Sequence, residues 1–574
     1  MIKPRQAVME MQAYSPPTSD REGYLKLDFN ENTKGCSYNV IKSLKQIKRY
    51  TLSTYPEYTK LRKELARYCN VKADEILATN GTDEAIKTII ETYIERSRDE
   101  IIIPVPTYAM FKFYAQLDEA IIKGITYNVD LSFPTEQVIS AINDKTKIIV
   151  LVNPNNPTGT SINTKDIIKI IEKAKRYDSI VLLDEAYYQF YGKTSIPLIK
   201  RYNNLFIVQT FSKAFGLAGL RLGYIISNKS NIKIIQKVLS PYSVNIVAAI
   251  CALTALKESN YIKRYVSEVI ASKKILYKEF GSLGIKYYKS DANFILIKIG
   301  AKAVEFCKKL RNKGILVRNR SSDQLLDGCV RITLGTIRQT KQLVREMRQI
   351  IKEINPLLIF DIDGVLVDVS KSYRVAIKKT AEYFTEARIS FEEIQKYKDK
   401  GGLNNDWDLT ESIIKDNGKS IDKKKIIKKF QSYYDSLIKN EKWLLDKIIL
   451  QLLSKRYTLA ILTGRPRKEA YSVLKKNKIT DYFDIIVTME DIAKQKPFPD
   501  GLLKILNQYP NSDAYYFGDS IDDMKAAISA NIKSIGVLPP QDKSSQLQNI
   551  LIKTGAKIVI KNINESMEVL NENQ

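Results

Sequence analysis

"INPLLIFDIDGVLVDVSKSY", residues 354–373, decides how this chain is divided. Leu357–Phe360 reads as a short, wholly apolar strand that runs directly into Asp361, Asp363 and Gly364. A strand that hands two carboxylates to a glycine turn is a common opening for an α/β enzyme domain. Asn355 and Pro356, just before it, break a helix expected over residues 338–353. More than half of the chain has passed by then, so the stretch opens a second domain. Domains over residues 1–355 and 356–574 are expected, joined with almost no linker.

The bulk composition narrows the function classes. With 44% hydrophobic and 27% charged residues, the chain is globular rather than disordered. It has no apolar run of membrane-spanning length, and its N-terminus lacks a signal-peptide core. Cys36, Cys69, Cys251, Cys307 and Cys329 show neither CxxC nor zinc spacing, as expected of reduced thiols in a cytoplasmic protein. A formal charge of +27 raises a nucleic-acid reading. The lysines are spread along amphipathic segments, however, with few blocks beyond "DKKKIIKK" (422–429), and this spacing suits solvated faces. Neither nucleic acid nor a membrane is expected as a partner, although a basic surface favours anionic substrates. The chain contains no histidine, so acid–base work falls to lysine, carboxylate or tyrosine.

In the first part, β-rich runs such as "EIIIPV" (100–105), "KIIVLVN" (147–153), "SIVLLDE" (179–185) and "NLFIVQT" (204–210) alternate with helical segments. That alternation predicts a mainly parallel sheet flanked by helices. Within "QTFSKAFGLAGLRLGY" (209–224), Lys213 can condense with an aldehyde, and Thr210, Ser212 and Arg221 can reach a phosphate. "VLLDEAYYQF" (181–190) puts Asp184 at a strand end, suited to pair with a pyridinium nitrogen. Tyr187 and Asn156 of "NPNNPTG" (153–159) can bond a phenolic oxygen. "TNGTDEAI" (79–86) opens a helix whose free N–H groups at Thr82 and Asp83 suit a phosphate, and Tyr108 could stack on a ring.

Together and in this order, these pieces resemble the fold-type I pyridoxal-phosphate aminotransferases over about residues 10–350, and within them the histidinol-phosphate aminotransferases. "LKLDFNENT" (25–33) resembles the substrate loop of that family, with Asn30 in place but Thr33 where proline is usual. The resemblance implies pyridoxal 5'-phosphate as cofactor and a homodimer in which Tyr55 of "TYPEYTKLRKELARY" (54–68) reaches the neighbouring subunit's cofactor. It also implies that Arg318 and Arg331, helped by Tyr14, grip a substrate phosphate. A guanidinium fork takes carboxylate or phosphate alike, so glutamate/2-oxoglutarate and a phosphorylated partner could share one site.

The opening stretch has three companions further on. "LAILTGRPRK" (459–468) offers Thr463 for a phosphoryl oxygen, and "AKQKPFPDGL" (493–502) offers Lys496. "YYFGDSIDDM" (515–524) offers Asp519 and Asp523 for a metal. The set resembles the haloacid dehalogenase superfamily over residues 356–574, which implies a Rossmann-like fold, Asp361 as nucleophile and Asp363 as acid and base. Mg²⁺ would then be held by Asp361, the Asp363 carbonyl, Asp519 and Asp523. Residues 370–450 are expected to form a helical cap. "KDKGGLNNDWDLTESI" (398–413) reads either as a specificity loop or as a helix start capped by Asp408 or Thr410.

The two expected sites make consecutive steps of histidine biosynthesis: transamination between imidazoleacetol phosphate/glutamate and histidinol phosphate/2-oxoglutarate, then dephosphorylation of histidinol phosphate. Three alternatives stay open at this stage. The first part could be an aminotransferase or decarboxylase of another phosphorylated amino acid. The second could be a phosphoglycolate, sugar-phosphate or mutase enzyme. The whole could be a basic nucleic-acid-binding protein on vestigial enzyme folds, which the intact motifs disfavour.

Overall fold

A computed structural model of the protein describes residues 2–13, 21–400, 402, 405–509 and 513–572. The chain forms two compact units, Met1–Ile350 and Ile351–Gln574, and the division falls within the helix Ile337–Ile354. Among the described residues, no helix is long and apolar enough to cross a membrane.

The first unit is built on a seven-stranded sheet. Its order is Ile76–Thr79, Gly223–Ile226, Leu205–Thr210, Ile180–Asp184, Thr146–Val152, Glu100–Val105 and Ile121–Thr126. Only Gly223–Ile226 is antiparallel to its neighbours. Leu205–Thr210 and Ile180–Asp184 are buried along their whole length, because helices cover both faces of the sheet; hence their unbroken apolar sequences. The covering helices show why they fold as they do. In Thr164–Lys175, Ile167, Ile170, Ile171 and Ala174 make one buried stripe, and Asn163 caps the start by accepting the N–H of Asp166. A smaller antiparallel sheet runs Arg318–Asn319, Cys329–Thr333, Phe294–Lys298 and Lys286–Tyr288.

The second unit has a six-stranded, all-parallel sheet in the order Ile485–Val487, Thr458–Leu462, Leu357–Phe360, Ala514–Gly518, Lys533–Val537 and Ile558–Ile560. From Leu357–Phe360 the chain builds outward first to one side and then to the other. Its carboxyl end is therefore the crevice where open α/β sheets place their ligands. Helices Tyr373–Thr385, Phe391–Lys400, Asp406–Asp416 and Lys423–Leu437 form the cap. They lie between two short strands, Val367–Asp368 and Lys442–Trp443, which pair antiparallel, so the chain leaves and re-enters through one ribbon. The helix in the 398–413 segment starts at Asp406 and is capped by Asn405, whose side chain accepts the Trp407 N–H; Asp408 and Thr410 lie inside it.

Phe206 is wholly buried in the first sheet, edge-on to Tyr93 at 5.4 Å. Phe206→Ala should destabilise that unit by about 3–5 kcal/mol, seen as a lower urea midpoint for one of two unfolding transitions.

Candidate active sites

In the first unit, the carboxyl ends of the central strands gather the expected residues. Asp184 ends its strand fully enclosed, with Oδ1 accepting the Ala186 N–H at 2.9 Å. Burial pushes its carboxyl up to about 7; Asp83 and Glu185 add to this, while Lys213 works against it. Lys213 follows the next strand and donates from Nζ to the Phe29 carbonyl at 3.0 Å, 5.7 Å from the Tyr187 ring centroid. Thr210 and Ser212 are joined hydroxyl to hydroxyl at 3.0 Å. Arg221 and the Tyr108 hydroxyl both donate to Asp83, at 2.8 and 2.9 Å. Asp83 lies in the first turn of the helix Gly81–Tyr93. Gly81 has φ of +74°, a backbone conformation that favours glycine, and a Cβ there would lie 2.9 Å from Arg221 Nη2.

These residues fit pyridoxal phosphate by the chemistry of their donors. One end offers a helix N-terminus, two hydroxyls and Arg221 for a phosphate, and the other a buried carboxyl for a basic ring nitrogen. Lys213 stands among them as the amine.

Arg318 and Arg331 come together across two strands, paired directly opposite in the antiparallel register. Like charges facing each other repel, so the pairing suits a site that receives an anion. Arg331 is buried and pushed down to about 10 by that burial, with Arg320 and Arg318 adding to the effect. Its guanidinium bonds Asn156 Oδ1 and the Asp28 carbonyl, while its Nε has no partner. Asn30, buried and with φ of +58°, donates to the Tyr187 hydroxyl at 3.0 Å. Arg331 with Asn156 and Asn30 with Tyr187 thus form two hydrogen-bonded pairs. Tyr55 is 75% exposed and lies against Tyr242, with ring centroids 4.5 Å apart. Tyr14 lies outside the described residues.

In the second unit, Asp361, Thr463 and Asp519 each follow the last residue of a strand, whereas Lys496 comes from a loop. Asp361, Asp519 and Asp523 offer carboxylate oxygens within 4.8 Å of one another. The buried ammonium of Lys496 lies 2.9 Å from Asp361 Oδ2 and 2.7 Å from Asp523 Oδ1. Burial pushes Asp361 up to about 7, with Asp523 and Asp363 adding to the rise and Lys496 opposing it. Asp519 is raised by burial and its acidic neighbours. Asp523 goes the other way, because Lys496 and hydrogen bonds from Ser520 and Tyr516 outweigh its burial. Three carboxylates against one ammonium fit a divalent cation, and Asp523 also positions Lys496.

The Asp363 carboxylate turns away from this cluster toward Arg465, which sequence reading missed. Arg465 directly follows the "TG" after the strand, and its buried guanidinium bonds Asp363 Oδ1 through Nε at 2.7 Å. The only sequence signal is an arginine two residues beyond Thr463. A cavity over the aspartates is lined by Asp361, Asp363, Arg465, Tyr373, Asp406 and Trp407, so it includes residues of both the cap and the sheet. Gly402, in the 398–413 segment, donates its N–H to both oxygens of Asp522 at 3.0 and 2.9 Å.

Comparison with known proteins finds relatives for both parts of the chain. The chain is 41% identical over 316 residues to the histidinol-phosphate aminotransferase of Caldanaerobacter subterraneus subsp. tengcongensis, covering 54% of this chain and 88% of that protein. The Methanocaldococcus jannaschii enzyme of the same name is 36% identical over 358 residues, covering 58% of this chain and 94% of that protein. The solved histidinol-phosphate aminotransferase of Clostridium acetobutylicum superposes with a TM-score of 0.53 at 26% identity, covering 57% of this chain and 98% of that one. The Sinorhizobium meliloti enzyme, solved with pyridoxal-5'-phosphate, agrees in fold at a TM-score of 0.53 and 20% identity, covering 60% and 97%. Residues 358–537 match the haloacid dehalogenase-like hydrolases. Residues 22–347, more than half of the chain, match aminotransferase class I and II, and the protein is a member of that family fused to a haloacid dehalogenase-like hydrolase.

Proposed function

We propose that the chain carries out two consecutive steps of histidine biosynthesis in the cytoplasm. Its first unit would transfer the amino group of glutamate to imidazoleacetol phosphate, and its second would hydrolyse the resulting histidinol phosphate. The observation that carries this reading is the cross-strand pair Arg318 and Arg331, in a chain that also holds Lys213 after a central strand and a cluster of three carboxylates able to hold a cation. The names of the relatives support the choice of substrate.

At the first site, pyridoxal phosphate when bound supplies a carbonyl that takes up the amino group and a ring that withdraws electrons. Lys213 Nζ takes the proton from the substrate's Cα and returns it one position away, the task histidine would otherwise share. Asp184 would pair with the cofactor's ring nitrogen and keep a proton there, and Tyr187 and Asn156 would hydrogen-bond its phenolic oxygen. Arg318 and Arg331 bind the substrate's anionic end, aided by Asn30 and by Tyr14. A homodimer through this unit belongs to the same reading, supported by the exposed Tyr55–Tyr242 pair.

At the second site, Mg²⁺ would be held by Asp361, Asp519, the Asp363 carbonyl and Asp523, where it supplies positive charge against nucleophile and phosphate. Thr463 and Lys496 hold phosphoryl oxygens. An oxygen of Asp361 bonds phosphorus as the ester P–O bond breaks, and Asp363 protonates the departing alkoxide. Asp363 then takes a proton from water, whose oxygen displaces Asp361 and yields inorganic phosphate.

Two assays on the full chain test this reading: phosphate release from histidinol phosphate with Mg²⁺, and glutamate formation from histidinol phosphate and 2-oxoglutarate with pyridoxal phosphate. Lys213→Ala should abolish glutamate formation alone, and Asp361→Asn phosphate release alone. Brisk hydrolysis of phosphoglycolate with none of histidinol phosphate would overturn the substrate assignment. EDTA should stop phosphate release and leave transamination untouched. Gly364 has φ of +75°, and a Cβ there would lie 2.0 Å from Asp519 Oδ2. Gly364→Ala should therefore lower phosphatase kcat by about 10²-fold through displacement of Asp519, with transamination unchanged.

A further inference from the structure

Arg465 is among the largest fully buried side chains of the described residues, and all its donors are directed at partners. Nε and Nη2 reach one oxygen of Asp363, Oδ1, at 2.7 and 2.6 Å. Nη1 and Nη2 reach Glu441 Oε2 and Oε1 at 3.0 and 3.1 Å, and the Tyr434 hydroxyl stands 3.4 Å from Nη1. The Tyr373 ring centroid lies 4.9 Å from the guanidinium carbon. Burial works against its charge, but Asp363 and Glu441 more than offset this and hold it cationic.

Glu441 is as enclosed as its partner, and it immediately precedes Lys442–Trp443, the strand by which the chain returns from the cap. It also accepts from Ser372 at 3.0 Å, just past the strand by which the chain enters the cap, and from Tyr434 at 3.1 Å. One arginine thus connects the proton-handling carboxylate to both crossings of the cap ribbon.

We propose that Arg465 is the positioning residue for Asp363. It fixes Oδ1, presents Oδ2 to the leaving oxygen and then to water, and takes its own orientation from Glu441 at the cap ribbon. This rests on the phosphatase reading of Asp361 and Asp363. The fork geometry matters, because lysine offers a point charge that cannot hold both carboxylates in one plane.

The test uses the full chain with Mg²⁺ and two substrates, p-nitrophenyl phosphate and an alkyl phosphate such as histidinol phosphate. p-Nitrophenolate leaves without a proton, so phosphorylation of Asp361 by the aryl ester needs little from Asp363, while hydrolysis of phospho-Asp361 still needs it. Arg465→Lys should give a burst of one p-nitrophenolate per site at near the unmodified rate, then turnover about 10²-fold slower. Alkyl phosphate turnover should fall by at least as much. Arg465→Met leaves Glu441 buried without its partner and risks misfolding, so the double variant Arg465→Met/Glu441→Gln is run beside it. The double variant should keep the unmodified melting profile and show the same burst and slow turnover. Turnover within threefold of the unmodified chain in either variant overturns the proposal. So does an equal loss in burst and turnover, which marks a structural role only. An unmodified chain that hydrolyses neither ester would instead refute the phosphatase reading itself.

Discussion

Both sites depend on one constraint, an aspartate that must end a buried parallel strand. Asp184 closes "IVLLD" and Asp361 follows "LLIF", and burial pushes each carboxyl up to about 7. A strand end can accommodate such a group because the backbone beyond the ladder has N–H groups to spare: Ala186 donates to Asp184 and Ile362 to Asp361. What separates the two is their other company. Asp184 has Lys213 as its cationic neighbour, and a basic nitrogen placed against it would restore its charge. Asp361 already has Lys496, and with Asp519 and Asp523 it has more negative charge than one ammonium can balance.

A chain with no histidine and 91 lysines and arginines must build its chemistry from groups that stay charged unless buried. Arginine serves three purposes here. Arg221 closes on Asp83 at a helix start, Arg331 lies opposite Arg318 where an anion can enter, and Arg465 holds a carboxylate in place. Even the buried Arg331, pushed down to about 10, keeps its charge at neutral pH, which a lysine in that surrounding would be less able to do. In the proposed reactions the proton-moving roles then fall to Lys213 and Asp363, with Asp361 as nucleophile, and the surroundings of each determine what it can do.

Much of this was legible because strand ends are legible. A run of apolar residues that stops at a carboxylate or hydroxyl marks Asp184, Asp361, Thr463 and Asp519 without knowledge of which strands pair. The pairing of Arg318 with Arg331 needed the family resemblance, since hairpin register is not written in spacing alone. Asn405 as the cap of the helix from Asp406 was missed, because Asn405, Asp406, Asp408 and Thr410 are all good capping residues and the choice rests on which N–H groups lack a partner. Glu441 could not be read at all. It reaches Arg465 only after the chain has passed through four cap helices and returned beside its own entry strand.

The energetics of Arg465 argue that its arrangement serves geometry rather than stability. Taking the Arg465 guanidinium and the Glu441 carboxylate out of water costs several kcal/mol per ion, and well-packed apolar residues of similar volume would hold such a site together as well or better. Removing one partner alone would cost about 3–5 kcal/mol, because the remaining charge would be stranded. A network of that kind persists only where the placement of an atom matters more than the free energy spent on it. Here the atom is an oxygen of Asp363, while Lys496 is committed to Asp361 and Asp523. The cap ribbon supplies the support for the Arg465 guanidinium: Glu441, which accepts from Ser372, precedes its return strand.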